Sequence, residues 1–292
     1  MQDFNNEGLT VSDNGAGIYP RTPYDERYVG LAYTTWCYKG FWNTNKVWTT
    51  PLLGKYTSDD RTVIRQHAEW IADAGVDFIW IDWSNDVDYD VSIKKVINDT
   101  ARPDFSMIER STLYIFEEYS KMRQEGKVTP KISIFIGCPD PSQTSAISDG
   151  RLTRKANQVY DWFVNNPDHP EYRDLIMDYN GKPLLVVYAG TPTPWGDGLP
   201  AWDDDRFTVR WMSGFLTQQP YLLNTDTLES KYGYWSWEDR GAQTFSVSDG
   251  KPEAMIVVPS WRAEETDPPG TGERYDGLTF KEQWARARLI GV

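Results

Sequence analysis

Two carboxyl groups stand where this sequence has most to offer chemically. Asp82 interrupts the run Phe78-Ile79-Trp80-Ile81-Asp82-Trp83, in which every other residue is large and apolar. Glu238 follows the rings of Tyr234, Trp235 and Trp237. A carboxyl desolvated by neighbouring rings is biased toward its protonated form, which suits a proton donor. With a second carboxyl across a cleft it can cleave a glycosidic bond, at a separation of roughly 5–5.5 Å for retention and 6.5–9.5 Å for inversion. Asp82 and Glu238 are the expected acid/base pair. Each has a plainer alternative. Asp82 can be a buried carboxylate that holds a loop, and Glu238 a helix N-terminal charge or an ion pair with Arg240. Asp140, Asp239, Glu264 and Glu265 also fall at or past expected strand ends, the last two in a polar loop that reads as a solvated face.

The rings point the same way. Tyr33, Trp36, Trp83, Tyr188, Tyr234, Trp237 and Trp261 all lie at or near expected strand ends. Flat rings stack on the C–H faces of sugars, while Asn85, Asp239, Arg210 and Arg262 can orient hydroxyls or an acidic sugar. A large core accounts for some of these rings; a lined cleft accounts for the set. An oligosaccharide or polysaccharide is therefore the expected partner.

Other chemistries have little material. With only His67 and His169, a histidine-based metal site or a Ser-His-Asp triad is poorly supplied, and Cys37 and Cys138 read as free thiols. Asp86, Asp88 and Asp90 alternate as calcium ligands do, but lack the glycine and closing glutamate of an EF-hand loop, so a solvated acidic loop is the better account. No metal or cofactor is expected. The net charge of -13 argues against nucleic acid and anionic membrane surfaces. No stretch approaches the ~20 apolar residues of a membrane span. The first residues carry no secretory pattern, so a secreted or periplasmic location is expected only if a signal peptide has been removed.

Behind these residues the chain alternates strand and helix. Residues 1–27 read as a polar arm and 28–292 as one domain. Strands are expected at 29–36, 78–83, 131–138, 183–190, 207–212, 232–237 and 253–261. Helices are expected from Ser58-Asp59 to Gly75 on Ile64, Ala68 and Ile71, and over 106–125 on Ile108, Tyr114 or Ile115, Tyr119 and Met122. A third covers about 150–165 on Leu152, Ala156, Val159 and Phe163, and a last begins at Thr279 with Phe280, Trp284 and Ala287 as its face. Asn180-Gly181 marks a turn. The alternation fits a (β/α)8 TIM-type barrel in which seven strands are readable. No Gly-x-Gly-x-x-Gly follows the first strand, which removes the main sign of a dinucleotide fold, and there is no Walker A motif.

Several stretches together resemble a family: Pro51-Leu-Leu-Gly-Lys-Tyr-Thr-Ser-Asp-Asp60 leading to Val63, Ile64 and His67, then Ala74-Gly-Val-Asp-Phe78 with Asp82-Trp83, Tyr232 to Trp237, and Thr279-Phe-Lys-Glu-Gln-Trp284. They are similar to the barrels of glycoside hydrolase families 71 and 99, the α-1,3-glucanases and endo-α-mannosidases, and to the related WbsX-like proteins of polysaccharide loci. The resemblance implies cleavage of α-linked bonds within a glycan at the C-terminal mouth of the barrel. In the endo-mannosidase group an Asn-Glu-Trp-x-Glu motif after the eighth strand carries catalysis, and this sequence has none. Its two glutamates transfer to no position here. The expectation is that the chain continues beyond Val292, that another chain closes the barrel, or that the chemistry differs. A non-catalytic glycan-binding barrel and a role in polysaccharide biosynthesis are the alternatives.

Overall fold

The computed structural model describes residues 11–38, 41–43, 50–84, 86, 103–137, 147–190, 198–214, 216–237, 243–259 and 275–292. Two compact units emerge, each discontinuous in sequence: 28–188 with 202–210, and 1–27 with 189–201 and 211–292.

The first unit runs β1 (Gly30–Tyr33), α1 (Arg61–Asp73), β2 (Phe78–Trp83), α2 (Pro103–Gln124), β3 (Lys131–Gly137), α3 (Arg151–Val159), β4 (Asp178–Tyr179), β5 (Lys182–Tyr188) and the start of β6 (Thr208–Ser213). Strands β1, β2, β3 and β5 pair in parallel, with Ala32 opposite Trp80, Asp82 opposite Phe135, and Gly137 opposite Tyr188. Every residue of β2 and all but the first of β3 are buried, as strands sandwiched on both faces must be.

Helix α1 starts later than expected. Asp60 is its N-cap, accepting the Thr62 and Val63 N–H groups at 2.9 and 3.3 Å. Ser58 is engaged elsewhere: it donates its N–H to the Cys37 carbonyl at 2.7 Å and accepts the Cys37 N–H on Oγ at 3.0 Å, pinning the chain that leaves β1. The expected faces of α2 and α3 are buried, with Phe116 stacked on Phe163 at 4.1 Å. Asn180 and Gly181 both take positive φ, as a two-residue hairpin turn between β4 and β5 requires.

The second unit contains the end of β6, then β7 (Leu223–Asn224), β8 (Glu229–Ser230), β9 (Trp235–Ser236), β10 (Ser246–Ser248), β11 (Lys251–Ala254) and α4 (Leu278–Ile290). Met212 and Ser213 of β6 pair in parallel with Trp235 and Ser236 of β9. The sheet order is β1-β2-β3-β5-β6-β9, so six of the expected barrel strands lie in it among the described residues. This is a (β/α)8-type barrel fold in incomplete form.

Two expectations fail here. The strand expected at 253–261 is not part of that sheet: β11 pairs antiparallel with β10 across Asp249 and Gly250, both at positive φ, and 255–259 carry no strand. Asp-Gly is a strong hairpin former, and it outweighs the apolar run that follows. The expected face of α4 holds only at Ala287. Phe280 and Trp284 are 40% and 38% exposed, while Thr279, Gln283 and Arg286 are buried with Ala287 and Ile290. The buried polar groups are there because loop backbone needs them. Arg286 donates to the carbonyls of Gln243, Ser12 and Asn14 at 3.1, 2.6 and 3.0 Å, and Gln283 accepts the Val258 N–H at 2.7 Å. No helix among the described residues is long and apolar enough to cross a membrane.

Candidate functional site

In a parallel strand–helix fold, chemistry gathers at the C-terminal ends of the strands. In the first unit those ends are Tyr33, Trp83, Gly137 and Tyr188. Alternation along β2 sends Phe78, Trp80 and Asp82 to one face and Ile79, Ile81 and Trp83 to the other. On the Asp82 face the rings form a row. Trp80 meets Phe135 edge-on at 4.9 Å, and Phe135 meets Tyr188 at 5.8 Å. Asp82 stands directly opposite Phe135, so the structure places Asp82 and Tyr188 on one face of the sheet, on strands separated by β3.

The Asp82 side chain is fully buried. Its Oδ1 accepts the Ser84 N–H at 2.8 Å, and its Oδ2 has no hydrogen-bond partner among the described residues. Burial pushes this carboxyl above its ordinary range, against the downward pull of the Ser84 hydroxyl and N–H. Ser84 can lie this close because of Gly137: a Cβ there would fall 2.6 Å from the Ser84 carbonyl oxygen and 2.8 Å from its Cα.

The other candidates are distributed differently. Trp83 points toward the helices, donates its indole N–H to Thr112 at 2.8 Å and packs on Phe163 at 5.9 Å. Tyr33 shares the helix side with Ile81, its partner in register, and its hydroxyl lies 2.8 Å from His67 Nδ1. Burial lowers the imidazole and raises the phenol, so Tyr33 is the donor and His67 the acceptor. Trp36, beyond the end of β1, is 36% exposed. Cys37 is a free thiol, raised by burial. In the second unit Tyr234 is fully buried and donates its hydroxyl to the Gly198 carbonyl at 2.9 Å. Trp237 is half-buried, its N–H on the Ser213 carbonyl at 2.9 Å. Asn85, Cys138, Asp140, Glu238, Asp239, Trp261, Arg262, Glu264 and Glu265 lie outside the described residues, as do Asp88 and Asp90.

A buried polar cluster beside this site was not foreseen. Lys155 of α3 places Nζ 3.0 Å from Asp86 Oδ2, 3.4 Å from Glu109 Oε1 of α2 and 3.0 Å from Gln158 Oε1. Gln158 donates in turn to Glu109 at 2.6 Å. Lys155 also sits 5.3 Å over the Trp83 ring. Desolvation raises the Asp86 carboxyl to about 8; Lys155 opposes the shift and Glu109 adds to it. A lysine at the i+3 slot of the stripe Leu152, Ala156, Val159 was the available sign.

A scan against family models gives no match, and a search of curated proteins gives none. Among solved structures, the chain is similar to the glycoside hydrolase family 99 endo-α-mannosidase of Bacteroides thetaiotaomicron. The form in complex with bis-tris propane has a TM-score of 0.53 and 14% identity, over 91% of this chain and 80% of that one. A second structure of the enzyme has a TM-score of 0.52 and 13% identity, over 91% and 82%. The resemblance read from the sequence thus holds at the level of fold: this chain is built on the same barrel plan as those glycosidases.

Proposed function

We propose that the chain is a glycoside hydrolase that cleaves α-linked bonds within a glycan, at the C-terminal ends of its parallel strands. The observation that carries this reading is Asp82: a fully buried carboxyl at the end of a central strand, on the ring-bearing face, with one oxygen unpartnered among the described residues and its proton affinity raised. Such a group is suited to protonate a leaving glycosidic oxygen. Tyr188, on the same face, is the proposed stacking ring, with Trp36 and Trp237 as further candidates. Glu238 is the proposed second carboxyl, and Asn85, Asp239, Trp261 and Arg262 the proposed contacts to sugar hydroxyls.

The test is release of reducing ends from α-mannan and α-1,3-glucan by the wild type, Asp82→Asn and Glu238→Gln. Loss of a general acid or base slows turnover by about 10²–10⁴-fold. Full activity in Asp82→Asn removes that residue from the role. The complete burial of Asp82 also favours a second reading, a barrel that binds glycans without cleaving them. Calorimetric binding of mannan oligosaccharides with no turnover would select it.

A further inference from the structure

Two carboxyls and a lysine buried together need an explanation, because buried ion pairs are weak contributors to stability and apolar replacements are often as good. The location of this cluster suggests what it does. The chain leaves β2 through Trp83 and Ser84, and Asp86 closes back with its N–H on the Trp83 carbonyl at 2.9 Å. The Asp86 carboxyl is then held by Lys155 at 3.0 Å. The same ammonium lies over the Trp83 ring, whose indole N–H is fixed by Thr112. Lys155 therefore grips the residue before Ser84 and the residue two after it. Glu109 and Gln158, reaching in from α2 and α3, take the other contacts of the ammonium and bond to each other. Between the gripped points lies Ser84, whose N–H meets Asp82 Oδ1.

We infer that Lys155 is a positioning residue for Asp82: by holding Asp86 and the Trp83 ring it fixes the Ser84 N–H that orients the Asp82 carboxyl. The inference rests on Asp82 being a working carboxyl of the glycan site, but its physical content is separate. It assigns to α3 the job of setting one hydrogen bond at the end of β2. Lys155 is 2% exposed and Asp86 1%, so neither meets solvent.

Amide hydrogen exchange on the whole chain tests it, comparing the wild type with Lys155→Met and with the charge-paired variant K155M/D86N, which keeps the test available if the single change does not fold. The Ser84 amide should exchange about tenfold faster or more in the variant, while Ile79 and Ile81, deeper in β2, keep their protection. The Asp82 carboxyl, followed by ¹³C resonances assigned through D82N, should titrate at higher pH once the Ser84 N–H is released. On α-mannan, kcat should fall with little change in KM. Unchanged Ser84 exchange and an unmoved Asp82 titration in a folded variant overturn the inference. Absence of hydrolysis in the wild type overturns the hydrolase reading instead, and the exchange and titration data still decide on Lys155.

Discussion

A carboxyl that loses solvent behaves as two different groups on either side of its titration, and both buried aspartates beside β2 can be read that way. For Asp82 the neutral amide of Asp82→Asn keeps the shape and removes a group whose charged form burial penalises. That variant should melt no lower than the wild type near neutrality while losing its activity, which separates catalysis from folding by calorimetry and assay on one sample. For Asp86 the sign follows from linkage. Its folded value of about 8 exceeds the ordinary 3.8, so between those limits the folded chain holds a proton that the unfolded chain releases. Its contribution to stability is greatest in acid and declines as pH rises toward 8. Asp86→Asn should flatten that decline, seen as a smaller fall in Tm between pH 5 and 8 than in the wild type. The sequence made Asp82 visible, since an acid inside an otherwise apolar run is conspicuous. It hid Asp86, which sits in an acidic stretch that reads as solvated; its partners are 23 and 69 positions away on two helices, and nothing local announces them.

The elements were legible to the degree that periodicity decided them. Strands β2, β3 and β5 and helices α1, α2 and α3 follow their apolar patterns, and the Asn180-Gly181 turn follows its chemistry. The misreadings came where backbone demand overrode pattern. In α4 the aromatics gave the expected face, yet Arg286 and Gln283 are drawn inward by unsatisfied loop carbonyls and amides. At β11 a hairpin turn captured the residues that looked like a barrel strand. Close approach was equally invisible: nothing in the sequence says that Gly137 must make room for Ser84. Gly137→Ala forces a Cβ to within 2.6 Å of that backbone and should cost about 1–3 kcal/mol, read as a lower denaturant midpoint with unchanged slope.

At the scale of the whole chain, the strand order ends at β1, whose Gly30, Leu31 and Ala32 are all exposed. Among the described residues no strand pairs with its outer edge, and an edge left open in that way recruits other strands. Leu31→Lys should lower light scattering in concentrated solution while shifting stability by no more than about 0.5 kcal/mol. The charge of -13 should keep the protein off anionic vesicles and nucleic acid at low salt, where a basic protein would bind. Arg286 carries one more consequence. Its guanidinium is tied to the carbonyls of Ser12 and Asn14, and the Thr22 N–H meets the Gly291 carbonyl at 3.0 Å. A ribosome makes these partners far apart in time. Residues 12–22 are made long before α4, and their bonds to Arg286 and Gly291 form only once that helix is translated, whereas the residues of β1 to β5 find one another earlier. Nascent chains arrested before Arg286 should leave residues 12–22 open to protease while β2 and β3 are already resistant.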